Sequence, residues 1–164
     1  SYDDEVICGN TRPDVEGVIG SSLNWKGFSV SLNFRYQMGA DVFNEALYSK
    51  VENISRSDLN KNQDKRALYE RWQEEGDIVR FKNIASAETT PMSSRFVQEE
   101  NVLTLESIYV GYEFYDGWIK KLGLSSLKIQ ASMRDVFRAS TIRSERGISY
   151  PFARSMEAGL SFNF

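Results

Sequence analysis

Few residues in this chain could do chemistry on their own, and their types limit what that chemistry is. Among 164 residues there is no histidine and a single cysteine, Cys8. The commonest general base and the commonest first-row metal ligand are therefore missing, and no internal disulfide can form. Cys8 reads as an incidental thiol. The carboxylates Glu74, Glu75 and Asp77 fall together, as do Asp3, Asp4 and Glu5, and carboxylate oxygens can hold hard cations or work as an acid and base pair. Neighbours at the end of a helix-like segment are more simply a solvated face. A carboxylate glycosidase needs two such groups about 5 to 9.5 Å apart, and no motif selects such a pair. We therefore expect no enzyme, and no catalytic, cofactor-binding or metal-binding residue.

What remains is the chemistry of binding. Arg35 and Gln37, and farther along Lys128, Gln130 and Arg134, share the polar side of two alternating stretches. Side chains so placed can touch a polar cargo, and hydration is the plainer reading. Tyr69, Trp72 and Phe81 lie in a charged stretch, where rings can stack on sugars or contact a partner; packing in a small local core is the alternative. Tyr109 and Tyr112 read as strand packing or an aromatic girdle before ligand contact. The formal net charge is -3, so no basic field points to a nucleic acid.

These side chains need elements to hold them. In FSVSLNFRYQMG, Phe28, Val30, Leu32, Phe34, Tyr36 and Met38 alternate with Ser29, Ser31, Asn33, Arg35 and Gln37, a period of two without an error. The pattern predicts strands near 15–23 and 28–39, joined as a tight hairpin through the turn-like Asn24-Trp25-Lys26-Gly27. Further strands are expected near 102–115, 127–137 and 152–164, with a compact turn around Trp118 and a longer loop over 138–151. Residues 1–14 read as a loop. The long segment 40–101 carries two helix-like patches, one through Phe43, Leu47, Val51 and Ile54, the other over Leu68 to Trp72 behind Asp64 as N-cap. Roughly sixty residues between strands is too long for an ordinary connection and is usually functional or disordered; its bulky aromatics argue for order.

No run approaches the roughly 18 to 20 apolar residues of a membrane-spanning helix, but barrel strands need only about ten alternating residues each. The connections alternate short and long, as the turns and loops of outer-membrane barrels do. Phe28 and Tyr36 share a face and, at a tilt of about 40°, span roughly 20 Å of membrane normal, close to the height of the apolar band between aromatic girdles. Alternation alone leaves a second option open, a soluble antiparallel sandwich whose apolar face packs on another sheet. The closing SMEAGLSFNF alternates up to Phe164. A last strand paired on both edges of a closed barrel can end there without fraying, whereas a sandwich has less reason to stop on an aromatic.

The stretches GNTRPDVEGVIGSSLNWKGFSVSLNFRYQMGADVFN, RWQEEGDIVRFKN, SSRFVQEENVLTLESIYVGYEF, LKIQASMRDVF and YPFARSMEAGLSFNF together resemble the C-terminal part of the SusC/RagA-like TonB-dependent transporters of Bacteroidetes outer membranes. Where that family usually has Leu-Arg-Leu-Lys-Asn, this chain has Leu103-Thr104-Leu105-Glu106-Ser107, which leaves the strand intact and changes its polar face. The resemblance implies an all-β, antiparallel transmembrane segment: about five C-terminal strands of a roughly 22-stranded barrel with an internal plug, and a long, partly helical extracellular loop. Plug and remaining strands would lie outside residues 1–164. It implies import of glycan or peptide fragments with a SusD-like surface lipoprotein, energised by TonB, in contact with outer-membrane lipid. Arg35, Gln37, Lys128, Gln130 and Arg134 would then face the lumen, and Phe162 and Phe164 would belong to the signal read by the barrel-assembly machinery. The competing expectation is a soluble all-β carbohydrate-binding module using Trp72 and its neighbours.

Overall fold

The computed structural model describes residues 5–86, 88–143 and 154–164. The expected carboxylates Asp3 and Asp4, most of the expected loop over 138–151, and the first two residues of the expected closing strand lie outside the described residues. The chain divides into two compact units, a sheet unit of Pro13–Ala40, Asn101–Thr141 and Arg146–Phe164, and a loop unit of Ser1–Arg12, Asp41–Glu100 and Ile142–Glu145.

In the sheet unit, strand β1 (Val15–Trp25) turns directly into β2 (Phe28–Phe43). Only Lys26 and Gly27 lie between them, both with positive φ, 46° and 89°. Left-handed backbone at both central positions makes the type I′ turn whose twist matches that of the flanking strands. Gly27 is required twice over, because a Cβ there would also meet the Glu113 carbonyl oxygen at 2.6 Å. Trp25, expected in the turn, is a strand residue opposite Phe28. Strands β3 (Val97–Phe114), β4 (Ser126–Ser140) and β5 (Ser155–Asn163) complete one five-stranded sheet in the order β1-β2-β3-β4-β5. The β1/β2, β3/β4 and β4/β5 pairs are antiparallel. A bulge interrupts the third of these strands' pairing with the fourth, where the register shifts between Leu105 and Ser107 and Asp135 takes a φ of 51°. Such an extra residue bends the strand and increases its twist. Between β3 and β4 the short helix α2 (Trp118–Lys121) packs the fully buried Ile119 inward.

The loop unit has its own core of Leu47, Val51, Phe81 and Phe96, with Phe43 and Tyr48 packed against it. The first helix-like patch is only partly helical. Phe43 still belongs to β2, and Asn44 caps the one-turn helix α1 (Glu45–Leu47), its side-chain oxygen accepting from the Leu47 amide at 3.0 Å. The chain then widens into one π turn over Tyr48–Glu52, closed by the Asn53 amide on the Tyr48 carbonyl at 2.9 Å. The second patch corrects the expectation more strongly. Asp64 does cap a turn, accepting from the Arg66 amide at 2.9 Å, but that turn is a 3-10 segment ending at Leu68. Tyr69 is extended, Glu70 is left-handed at φ 55°, and Arg71 pairs with Phe81 in a parallel bridge. The reason is the Arg71 side chain, which is buried and donates to the carbonyls of Ala67 and Lys82, both at 2.8 Å, and of Val51. Side-chain donors here replace the backbone ladder that a helix would have supplied.

Candidate functional site

Two surfaces carry the residues singled out from the sequence. The first is the polar face of the sheet. On β2, Asn33, Arg35 and Gln37 stand opposite Gly20, Val18 and Glu16 of β1. On β4, Lys128, Gln130 and Arg134 stand opposite Glu113, Gly111 and Ser107 of β3, and opposite Ser161, Gly159 and Ser155 of β5. Asn33 donates to the Ser107 hydroxyl at 2.9 Å, which puts both sets on one side of the sheet. Cross-strand partners share a face, so the five residues named from sequence are brought together. Arg35 forms an ion pair with Glu106 at 2.5 Å, Gln37 donates to Glu16 at 3.3 Å, Lys128 lies 5.8 Å from the Tyr109 ring centroid, and Gln130 accepts from the Tyr109 hydroxyl at 3.1 Å. Tyr109 therefore belongs to this polar network.

The opposite face is apolar from β1 to β5. Leu23 and Trp25 stand beside Val30 and Phe28, while Val110 and Tyr112 stand beside Ala131 and Ile129, which in turn meet Ala158 and Leu160. Near the two short turns the aromatics touch in sequence: Phe28 to Tyr112 at 4.5 Å, Tyr112 to Phe114 at 4.5 Å, and Phe114 to Trp118 at 6.0 Å between ring centroids. Many of these side chains are open to solvent, Trp25 by 62 %, Leu160 by 61 % and Met156 by 78 %. Phe162, paired with Leu127, and Phe164 are exposed as well. Among the described residues no second sheet covers this face. An apolar surface of such continuity marks a lipid or protein contact.

The second surface lies on the loop unit. Of the three aromatics expected there as contacts, Tyr69 and Trp72 are exposed, whereas Phe81 is only 6 % exposed and belongs to the core. There it packs with Leu47, Val51 and Phe96. Next to Phe81, the Glu52 carboxylate is 2 % exposed. Burial pushes its pKa up, but hydrogen bonds from the Thr90 hydroxyl, the Arg95 guanidinium and the Lys82 amide outweigh that and hold it below its ordinary value. Burial also lowers the pKa of Arg71, opposed by the charge of Glu52. Asp77, expected as a solvated carboxylate, accepts from the amides of Gln73 and Glu74 at 2.9 and 3.1 Å, which keep its pKa low. Sequence reasoning missed Glu52, Arg71, Arg80 and Arg95. Nothing in a polar stretch marks Glu52 and Arg71 as buried, and only the bulky neighbours Val51, Phe81 and Phe96 hinted at it, while Arg80 and Arg95 are exposed and do not stand out among the other charges of the stretch.

A long-stranded antiparallel sheet with one apolar and one polar face suits the wall of a large β-barrel, and comparison of folds agrees. The chain superposes on a chain of the RagAB peptide importer in its open-open state with a TM-score of 0.67 over 94 % of its length, at 16 % identity, covering 17 % of that chain. By sequence it is similar to a TonB-dependent receptor of Formosa agariphila, 25 % identical over 138 residues, which are 82 % of this chain and 13 % of that protein. No family model matches the chain. The likeness to TonB-dependent receptors read from the sequence therefore stands, and the chain spans a small part of the relatives it matches.

Proposed function

We propose that this chain forms five adjacent strands in the wall of a TonB-dependent outer-membrane importer, with the loop unit as an extracellular loop. The observation that carries the reading is the predominantly apolar face of the sheet, open to solvent on one side while Arg35, Gln37, Lys128, Gln130 and Arg134 occupy the other. Lipid is the partner that such a face fits, and a watery lumen is the place for the polar row. The likeness to a TonB-dependent receptor and to the RagAB peptide importer supports the same reading. In it, β1 and β5, the outer strands of the sheet, pair with the remaining strands of the barrel, around a plug supplied by the rest of the protein. Cargo is an oligosaccharide or a peptide, taken from a SusD-like surface lipoprotein, and TonB supplies the energy. A soluble carbohydrate-binding module would need to bury the apolar face.

Leu32→Arg tests this. Leu32 lies on the apolar face opposite Ser21, and an arginine facing lipid near the bilayer midplane costs about 2 to 4 kcal/mol. The expected outcome is loss of the full-length receptor from outer-membrane fractions. Normal amounts of the variant there would refute the assignment of this face to lipid.

A further inference from the structure

We infer that the loop unit carries a binding site for a carboxylate-bearing small ligand, with Arg80 as the carboxylate clamp and Trp72 as an apolar platform beside it. The inference rests on the importer reading and deepens it.

The site follows from the Arg71 and Phe81 bridge. Both bridged side chains are buried, and successive residues of an extended segment point to opposite sides. Trp72, next to Arg71, and Arg80, next to Phe81, are both exposed. Both line a hollow of about 620 Å³, together with Val79, Pro91, Ser93 and Arg95.

Most charges around this hollow are already committed. Arg95 gives one guanidinium nitrogen to Glu52 at 2.7 Å and another to the Arg80 carbonyl at 3.1 Å. The Lys82 ammonium donates to the Asn53 side chain at 2.8 Å and to the Glu88 carbonyl. Asp77 is held by two backbone amides. Arg80 differs: among the described residues its guanidinium meets the Phe81 ring, 5.8 Å from the centroid, and no acceptor. Trp72 is 40 % exposed, and among the described residues its indole N–H has no acceptor either.

An unengaged guanidinium presents two parallel donors that match a carboxylate. Stacking on Phe81 leaves those in-plane donors available. The indole adds a rigid apolar surface with a polar edge. The lining also carries three cations, Arg80, Lys82 and Arg95, against two carboxylates, Glu52 and Asp77, an excess that favours an anion. The ligand chemistry is thus a carboxylate next to an apolar ring face or side chain. Uronate sugars and the C-terminal end of a peptide both offer it.

The test is calorimetric titration of the full-length receptor in detergent with two pairs of probes: trigalacturonate against its methyl ester, and trileucine against trileucine amide. At least one acid is expected to bind about tenfold or more tightly than its neutral form, and which acid does so names the source. R80Q should remove that preference, R80K should restore part of it because charge is kept and the fork is lost, and W72A should weaken the favoured acid. Equal affinity for acid and neutral form, a preference that survives R80Q, or no binding of either acid overturns the inference. Outer-membrane fractionation separates this from the importer reading. A membrane-inserted receptor without the preference refutes the site alone, whereas a receptor absent from the outer membrane refutes the importer.

Discussion

Replacing Phe96 by alanine should loosen the loop unit as a whole. The ring is fully buried, meets Tyr48 edge-on at 5.2 Å and Phe43 at 6.0 Å, and has the Arg95 guanidinium 4.7 Å from its centroid. Truncating a buried phenylalanine costs about 3 to 5 kcal/mol through lost transfer energy and the cavity left behind. The two edge contacts, at about 0.5 to 1.5 kcal/mol each, are part of that sum. Taking the lower end, about 3 kcal/mol corresponds to a more than hundredfold rise in the opened fraction, since about 1.4 kcal/mol is a factor of ten. Hydrogen exchange on the full-length protein reads this directly. The amides of Leu47, Asn53, Trp72 and Phe81 each donate to an acceptor within the unit, and all four should accelerate together by about a hundredfold. Phe96→Leu keeps an apolar side chain and should cost less, about 1.5 kcal/mol. If Leu47 and Asn53 accelerate in Phe96→Ala while Trp72 and Phe81 keep their protection, these segments do not share one cooperative core and the reasoning fails.

Glu52 gives the same unit a pH dependence. Its folded pKa is depressed below the ordinary value of 4.5, so its stabilisation is complete above that value and is lost as pH falls through the folded pKa. Protection of the loop amides should decline below pH 4.5, and E52Q should make the decline shallower without removing it, because Asp58, Asp64 and Asp77 are depressed as well; an identical slope would refute the role of Glu52. If Phe164 is part of a signal for barrel assembly, as we propose, F164A should lower the amount of assembled receptor in outer-membrane fractions. Unaltered assembly would remove Phe164 from that signal.

The sheet was open to sequence reasoning where one physical period dominates. From Phe28 to Met38 each apolar residue returns at the second position, and the structure sets this face beside Val15, Ile19 and Leu23 of β1. Strand ends were harder to see. Trp25 looks like part of a turn until Lys26 and Gly27 are known to suffice for it. Asp41 to Phe43 extend β2 beyond the alternating stretch, with the Asp41 amide bonded to the Asn10 carbonyl at 2.7 Å, a partner more than thirty residues away in sequence. In the loop unit, three- and four-residue spacing correctly put Leu47 and Val51 on one side, but it also suggested a helix through Trp72. There the deciding term was the burial of a single arginine, which no periodicity encodes. The hollow beside Trp72 was half legible: the indole stood out, while Arg80, which lines the same hollow, could be found only after Arg71 and Phe81 were known to pair.

Arg71 has a consequence for how such a loop can change. Its guanidinium joins three separate stretches, yet its acceptors at Ala67, Val51 and Lys82 are all main-chain carbonyls. Every amino acid supplies that oxygen, so the fastener places no demand on the identity of the residues it fastens. Substitutions at exposed neighbours such as Tyr69, Trp72 or Arg80 can alter the outer surface of the loop while the frame beneath them is kept. A loop built on this plan can acquire a new outer surface one residue at a time, with a single buried side chain as the position that has to stay.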